Sequence, residues 1–369
     1  MATGRLIDVG RSGGGMKTVY CAISFHGFGH LAQAAPVLNR LMSARPDIEL
    51  VIQSEAPLSI LQTWLQCPFR HVIRQTDLGM PMFNALKVNV QATYEAYLNE
   101  YERRADILAA EAAHLSGRQP DLVLTNISYR LSAAAGRLQI PSLHFCSLNW
   151  ADIFLSYCGD KPNSREIYDW LCESYNQAQA FLRVNPGMLM TGMAHVKSIG
   201  PISRSGRRCD LREALQRPDA DRFVLVSMGG MPYAIPFHDW PVTPGLVWLT
   251  GEPVNGRDDF ICYKDFPIPH IDLLASCDAV VTKPGYGTLA EAAVNQTPVL
   301  YLPRRDWPEE PSQIEWLQQH VPCQEIDERR LFSGAIVDEL NQICAAPPMK
   351  PPALTGIDEA VTEILALLA

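Results

Sequence analysis

The chain has 369 residues, 47% apolar and 19% charged, with 31 Lys and Arg against 40 Asp and Glu for a formal charge of −9. Its length suggests two or three domains, and its composition is that of a globular protein rather than a fibrous or disordered one. The acidic balance argues against a non-specific nucleic-acid or anionic-membrane surface, since both need a basic patch, but leaves room for a small anionic ligand held at a local site.

No run approaches the roughly 18 consecutive apolar residues of a membrane span, and no secretion signal opens the chain. The expectation is a cytoplasmic protein without a transmembrane segment, for which peripheral membrane contact stays open. The ten cysteines include no C-x-x-C pair, so they read as reduced thiols. The sequons at Asn126 and Asn295 then carry no weight.

Residues 1–15 are Gly-rich with little apolar pattern and read as a flexible leader, with Met16 a candidate start. Gly10 to Gly14 satisfies G-x-S-x-G, and Gly10 to Thr18 resembles a P-loop with one residue too many. Both precede the first convincing strand, so neither has the strand before it that its chemistry needs.

From Lys17 short β-branched runs alternate with amphipathic stretches, the pattern of a parallel α/β sheet. The spacing predicts a strand over Val19 to Phe25, a helix over Leu31 to Ser43 and a strand over Ile48 to Gln53. A long helix follows over Val88 to Leu115, where Tyr94, Tyr97, Leu98, Tyr101, Ala105, Leu108 and Ala112 recur at helical spacing. Strands are then expected over Asp121 to Thr125 and Ser142 to Cys146, and a helix over Arg165 to Arg183. The rhythm breaks over Val196 to Arg208 and restarts with strands at Phe223 to Met228, Leu246 to Thr250, Ala279 to Thr282 and Pro298 to Leu302. A Pro-rich stretch, Pro347 to Pro352, leads to a last helix over Ile357 to Leu368. Two α/β halves joined near residue 200 account for this order.

Three segments concentrate chemistry. Between the first strand and helix lies Ser24-Phe25-His26-Gly27-Phe28-Gly29-His30-Leu31-Ala32. Its glycines let backbone approach a ligand, and the helix that follows offers free N–H groups to an anion. Gly27, Gly29 and Ala32 also fit a dinucleotide fingerprint. An NAD site would want an acid ending the second strand, where Gln53 stands instead, with Glu55 slightly late. His26 and His30 are placed as general bases near neutral pH, or as turn histidines satisfied by backbone. They lack the helix and glutamate of a zinc pair.

The second segment is Thr282-Lys283-Pro284-Gly285-Tyr286-Gly287-Thr288-Leu289-Ala290-Glu291, another glycine turn entering a helix. Thr288 and Glu291 have the spacing of a capping box, or else the turn holds a diphosphate and Glu291 accepts from ribose hydroxyls. The third, Pro303 to Gln313 with Arg304, Arg305, Glu309, Glu310 and Gln313, directly follows a strand, where open α/β sheets bind ligands. Ser227-Met228-Gly229-Gly230 is a further close-approach turn.

Together these segments resemble the GT-B glycosyltransferases, in which two Rossmann-like domains face a cleft. H-G-F-G-H at His26 to His30, K-x-G-Y-G-T-x-x-E at Lys283 to Glu291 and R-R-D-x-x-x-E-E-P at Arg304 to Pro311 look like the glycosyltransferase-like N-terminal part of plant L-arabinokinases. No kinase domain is expected before Ala369. The lipid II-forming N-acetylglucosaminyltransferase is a more distant likeness.

The resemblance implies an acceptor domain over 16–199, a donor domain over 200–350 and a final helix over 351–369 crossing back to the first domain. It also implies an inverting, metal-independent transfer from a UDP-linked sugar to a hydroxyl acceptor, without a cofactor. His30, or else His26, would be the base. Gly27, Gly29, Gly229, Gly230, Lys283, Gly285, Tyr286, Gly287, Thr288, Glu291, Arg304, Arg305, Glu310 and Gln313 would bind the donor. A nucleotide-sugar-binding module without catalysis and a sugar-nucleotide epimerase are the alternatives.

Overall fold

In the computed structural model, which describes residues 16–230 and 233–369, the alternating runs form two parallel sheets. The leader expected at 1–15, with the motif match at Gly10 to Gly14, lies outside the described residues. The first half runs β1 (Thr18–Ile23), α1 (Phe28–Ala44), β2 (Glu49–Gln53), α2 (Leu58–Trp64), β3 (Arg70–Val72), α3 (Val90–Glu102), α4 (Arg104–Ser116), β4 (Leu122–Asn126) and α5 (Tyr129–Arg137). It continues with β5 (Ser142–Cys146), α6 (Trp150–Cys158), α7 (Ser164–Tyr175), β6 (Ala180–Val184) and β7 (Val196–Ile199).

The second half runs α8 (Leu211–Ala214), β8 (Arg222–Ser227), β9 (Leu246–Thr250), β10 (Phe260–Cys262), α9 (His270–Ser276), β11 (Ala279–Thr282) and α10 (Tyr286–Asn295). After these come β12 (Val299–Tyr301), α11 (Glu310–Leu317), β13 (Cys323–Glu325), α12 (Glu328–Ser333) and α13 (Val337–Ala345), and the last helix, α14 (Gly356–Leu368), returns to the first half.

The strand orders are β3-β2-β1-β4-β5-β6-β7 and β10-β9-β8-β11-β12-β13. In each sheet the order reverses beside the first strand, between β1 and β4 and between β8 and β11. Such switch points open a crevice beyond the carboxyl ends of the strands. The turn carrying His30 leaves β1, and the turn carrying Lys283 leaves β11, so each occupies the crevice of its own sheet.

Several elements differ from the pattern read in the sequence. The helix expected over Val88 to Leu115 breaks at Arg103 (φ −99°, ψ 10°) into α3 and α4. Tyr97 on α3 enters the cluster with Trp150 and Phe154, whereas Leu115 on α4 packs under Tyr20 and Val123. The two pieces therefore turn to different partners. The helix expected over Arg165 to Arg183 stops at Tyr175, and Ala180–Val184 is the buried strand β6. A short apolar run has no periodicity that separates it from a helix continuing. Strands β3, β7, β10 and β13 went unread because each is an edge strand of only three or four residues.

The halves share one core. Tyr286 and Ala290 of α10 and Ala360, Val361, Ile364 and Leu368 of α14 pack with Leu31, Ala35 and Leu38 of α1. The chain crosses between the halves at Gly200–Pro201 and again at Thr355–Gly356, and the two crossings touch. Gly356 N–H donates to Pro201 O at 3.3 Å, and Gly200 N–H donates to the Glu359 carboxylate at 2.9 Å.

Candidate functional site

The crevices of the two sheets face each other and enclose a cleft of about 410 Å³. Its first-half wall is the turn between β1 and α1. Gly27 has φ +113°, a conformation that strains any other residue, and a Cβ on Gly27 or Gly29 would meet no atom within 4 Å. Backbone is thus laid open to the cleft. Neither α1 nor α10 has a side chain capping its N-terminus, and neither has an acidic residue in its first turn. Their free N–H groups are therefore available to an anion.

His30 sits in the first turn of α1, buried, with its imidazole against Trp150 at 5.5 Å between ring centroids. Its Nδ1 lies 2.7 Å from Asn126 Oδ1. Asn126 ends β4, the strand beside β1, so the switch point itself brings these residues together. Burial pushes His30 down to about 4, only partly opposed by the Asn126 hydrogen bond. His26, edge-on to the same Trp150 at 5.2 Å, is pushed down to about 3 by burial, with His30, Arg304 and Lys283 adding repulsion. Both imidazoles are neutral near pH 7 and able to accept a proton.

The second-half wall is cationic. Lys283 Nζ lies between the backbones of Gly229 and Gly285, 3.7 and 3.5 Å from where a Cβ on each would stand. Burial, with repulsion from Arg304, pushes Lys283 down to about 7. Arg304 is buried, its guanidinium stacked 4.1 Å over the Trp307 ring and its Nε without a hydrogen-bond partner. Among the described residues neither cation lies within ion-pair distance of a carboxylate. Glu309 faces them, buried and pushed up by desolvation, with Trp307 Nε1–H donating to it at 3.3 Å.

Of the residues proposed from sequence, His26, Gly27, Gly29, His30, Gly229, Gly230, Lys283, Gly285, Tyr286, Gly287, Thr288, Glu291 and Arg304 line this one cleft. Arg305, Glu310 and Gln313 do not. Arg305 is exposed and pairs with Glu325 at the sheet edge. Glu310 accepts the backbone N–H of Arg304 and so shapes the turn that aims Arg304 inward. Gln313 is fully buried, and among the described residues neither end of its side-chain amide has a hydrogen-bond partner.

The capping-box reading of Thr288 is overturned. The N-cap is Gly285, which leaves Thr288 inside the first turn, and the Glu291 carboxylate turns to Arg204 at 2.6 Å. Gln53, at the acid position of an NAD site, accepts from Tyr20 and donates to Gln75 O. Tyr286 lines the cleft and also ties the halves together. Its hydroxyl donates to Asn185 O at 3.0 Å and accepts from Ile202 N–H at 2.9 Å.

Sequence reasoning missed Trp64, Asn126, Ser147, Trp307 and Arg204 as site residues. Arg204 pairs with Glu291 and stacks 3.8 Å over Trp64 from the first half. Asn126 and Ser147 follow directly from parallel-strand ends, the one signal that marks them in the sequence. Among the described residues no group of three or more His, Cys, Asp or Glu is placed to hold a metal ion, and no helix is long and apolar enough to cross a membrane.

No protein-family model matches the chain. It is similar to an L-arabinokinase of Arabidopsis thaliana, 25% identical over 344 residues that cover 90% of this chain and 33% of that protein. The chain thus spans about a third of the length of this relative. Among solved structures it is similar to CalG4, the calicheamicin glycosyltransferase, with a TM-score of 0.66 and 15% identity over 95% of this chain and 98% of that one. It is similar to the kitacinnamycin glycosyltransferase, with a TM-score of 0.63 and 15% identity over 95% and 94%. The Arabidopsis thaliana UGT89C1 structure complexed with UDP gives a TM-score of 0.56 and 14% identity over 94% and 99%. These likenesses give the fold: the chain has the GT-B architecture, two Rossmann-like halves across a cleft.

Proposed function

We propose that the protein transfers a sugar from a nucleoside diphosphate sugar, UDP-linked, to a hydroxyl acceptor, with inversion and without a metal. The reading is carried by one observation: two unpaired cations, Lys283 and Arg304, share a cleft with two uncapped helix N-termini and a neutral buried histidine. A diphosphate supplies the missing anion. Lys283, Arg304 and the α10 N–H groups stabilise the charge that develops on it as it leaves, a task for which preorganised donors are commonly worth about 3 kcal/mol each. The Glu291 oxygen left free by Arg204 accepts from ribose hydroxyls.

In the step itself His30 Nε2 takes the acceptor's hydroxyl proton. The acceptor oxygen bonds to the anomeric carbon, and the bond from that carbon to the diphosphate oxygen breaks, its electron pair leaving on the diphosphate. Trp150, Met82 and Leu148 give the His30 side of the cleft an apolar wall for the acceptor. UGT89C1 complexed with UDP and CalG4 share the fold in which this chemistry is proposed.

Calorimetry with UDP tests the donor half: binding that weakens at least tenfold in Glu291→Ala and Lys283→Ala supports it, and no binding by the unaltered protein sinks it. Loss of turnover in His30→Ala with donor affinity kept tests the base. A second reading, a nucleotide-sugar-binding module without transfer, is favoured by the absence of a charged partner for His30, which lowers its strength as a base. UDP binding with no transfer or slow hydrolysis across a broad acceptor screen would select it.

A further inference from the structure

Two acceptor oxygens lie at one end of the side-chain amide of Asn126 and an imidazole nitrogen at the other, and their chemistry leaves it one orientation. Asn126 is fully buried. Phe145 O lies 2.6 Å from one end of its amide and Gln33 Oε1 3.2 Å from the same end. A backbone carbonyl can only accept, so the end facing it is Nδ2. The opposite end, Oδ1, then faces His30 Nδ1 at 2.7 Å. Gln33 is itself held, because its Nε2 donates to Ser147 Oγ at 2.7 Å.

We infer that Asn126 is a positioning residue that locks His30 in the tautomer with its proton on Nδ1, leaving Nε2 as the nitrogen that accepts from the cleft. An amide oxygen has no proton to give, so a 2.7 Å contact to it requires that Nδ1 carries one. The second contact at Nδ1, Cys146 Sγ at 3.8 Å, is a thiol that burial keeps protonated, and it does not compete as an acceptor of comparable strength. The frame behind the imidazole is therefore a chain of neutral groups anchored on two strand ends: Asn126 closing β4, and Phe145 in β5 with Ser147 just beyond it.

The choice of an amide has a further effect. A carboxylate at position 126 would face Phe145 O with no hydrogen to offer, leaving two acceptors in contact, which is costly in a buried site. The fold thus orients His30 without giving it a counter-charge. Trp150, the aromatic ring packed against it, is uncharged as well. The imidazolium formed when Nε2 takes a proton therefore has a neutral amide, not a carboxylate, as its partner at Nδ1. Under the transfer reading this selects acceptors whose hydroxyl gives up its proton readily, over plain alcohols.

Long-range ¹H–¹⁵N NMR of histidine-labelled protein reads the tautomer directly, with His30 identified by the signal lost in His30→Gln. The result expected at neutral pH is a protonated Nδ1 and a lone-pair Nε2, and a protonated Nε2 would overturn the assignment. In Asn126→Ala a mixture of both tautomers is expected while the other histidine signals stay in place, which a merely structural role would not produce. A His30 pattern unchanged from the parent protein would remove Asn126 from the role. If that variant does not fold, the parent spectrum alone decides. The measurement uses no nucleotide, so failure of UDP to bind would count against the transferase reading and leave this inference standing.

Discussion

A Cβ on Gly287 would stand 3.1 Å from the Cβ of Ala32, so α10 and α1 meet at the floor of the cleft with no room for a side chain between them. Each helix begins at one of the two glycine turns, and this contact sets the distance between the two uncapped N-termini.

Enlarging Gly287 forces the helices apart. Gly287→Val is expected to destabilise the protein by about 1–3 kcal/mol, as overpacking generally does, and to weaken UDP binding with it. Gly29→Ala makes the contrast, because nothing lies within 4 Å of the added carbon. Its stability should be equal or higher, by up to about 1 kcal/mol from helix propensity, while affinity falls because the methyl enters the cleft. Thermal melts paired with calorimetry separate the two cases, and parallel losses in both variants would contradict the packing argument.

Under the proposed donor binding, Lys283 couples nucleotide affinity to pH. In the free protein its ammonium is pushed down to about 7, and an adjacent diphosphate raises it again by favouring the charged form. Binding above pH 7 therefore takes up a proton, and affinity should fall with rising pH by up to about tenfold per unit until the bound-state value is passed. Below pH 7 this dependence vanishes. UDP titrations in buffers of different ionisation enthalpy measure the uptake, and Lys283→Arg should abolish it.

Acid should unfold the protein through its buried histidines. His30 is pushed down to about 4 and His144 to about 3, both by burial. Unfolded histidines titrate near 6.5, so between there and the folded values the unfolded chain binds more protons. Stability is then full above pH 6.5 and is lost as pH falls, by up to about 1.4 kcal/mol per unit for each histidine. Denaturant melts from pH 7 to 4.5 would show this loss. His144→Gln should reduce the slope without touching the cleft, since the ring is held by Thr125, Ser132 and Tyr175 O away from it.

The Tyr286 hydroxyl joins the halves through two backbone groups. Tyr286→Phe removes a donor to Asn185 O and leaves the buried Ile202 N–H unpaired, a loss of about 1–3 kcal/mol. Because the aromatic ring stays in the shared core, melting temperature should drop while the cleft keeps its lining. A Tm within error of the parent would show that the bridge is not made.

The glycine turns could be read in the sequence because their geometry is local. A β-branched run ending in closely spaced glycines before a helical pattern specifies a strand end, open backbone and a helix N-terminus within ten residues. Asn126, Ser147 and Arg204 could not be placed this way. Asn126 meets His30 from 96 residues along the chain, only because β4 lies beside β1. Arg204 was visible as part of a break in the rhythm, but its partners Trp64 and Glu291 belong to different halves. Arg304 and Arg305 are adjacent and chemically equal, and the Glu310 bond to one backbone N–H decides which faces the cleft. The broken helix at Arg103 fails for a related reason: periodicity records that each piece has a buried face, not that the faces point to different neighbours.

The paired crossings at Gly200 and Thr355 have a mechanical consequence. Two strands of chain joining two bodies at separated points would hold them rigidly, whereas two that touch act like the leaves of one hinge. Here Gly200 has no room for a side chain beside Thr355, and Glu359 grips the Gly200 backbone. Any parting of the halves must then be a rotation about that line rather than a slide, with the groups nearest the line moving least.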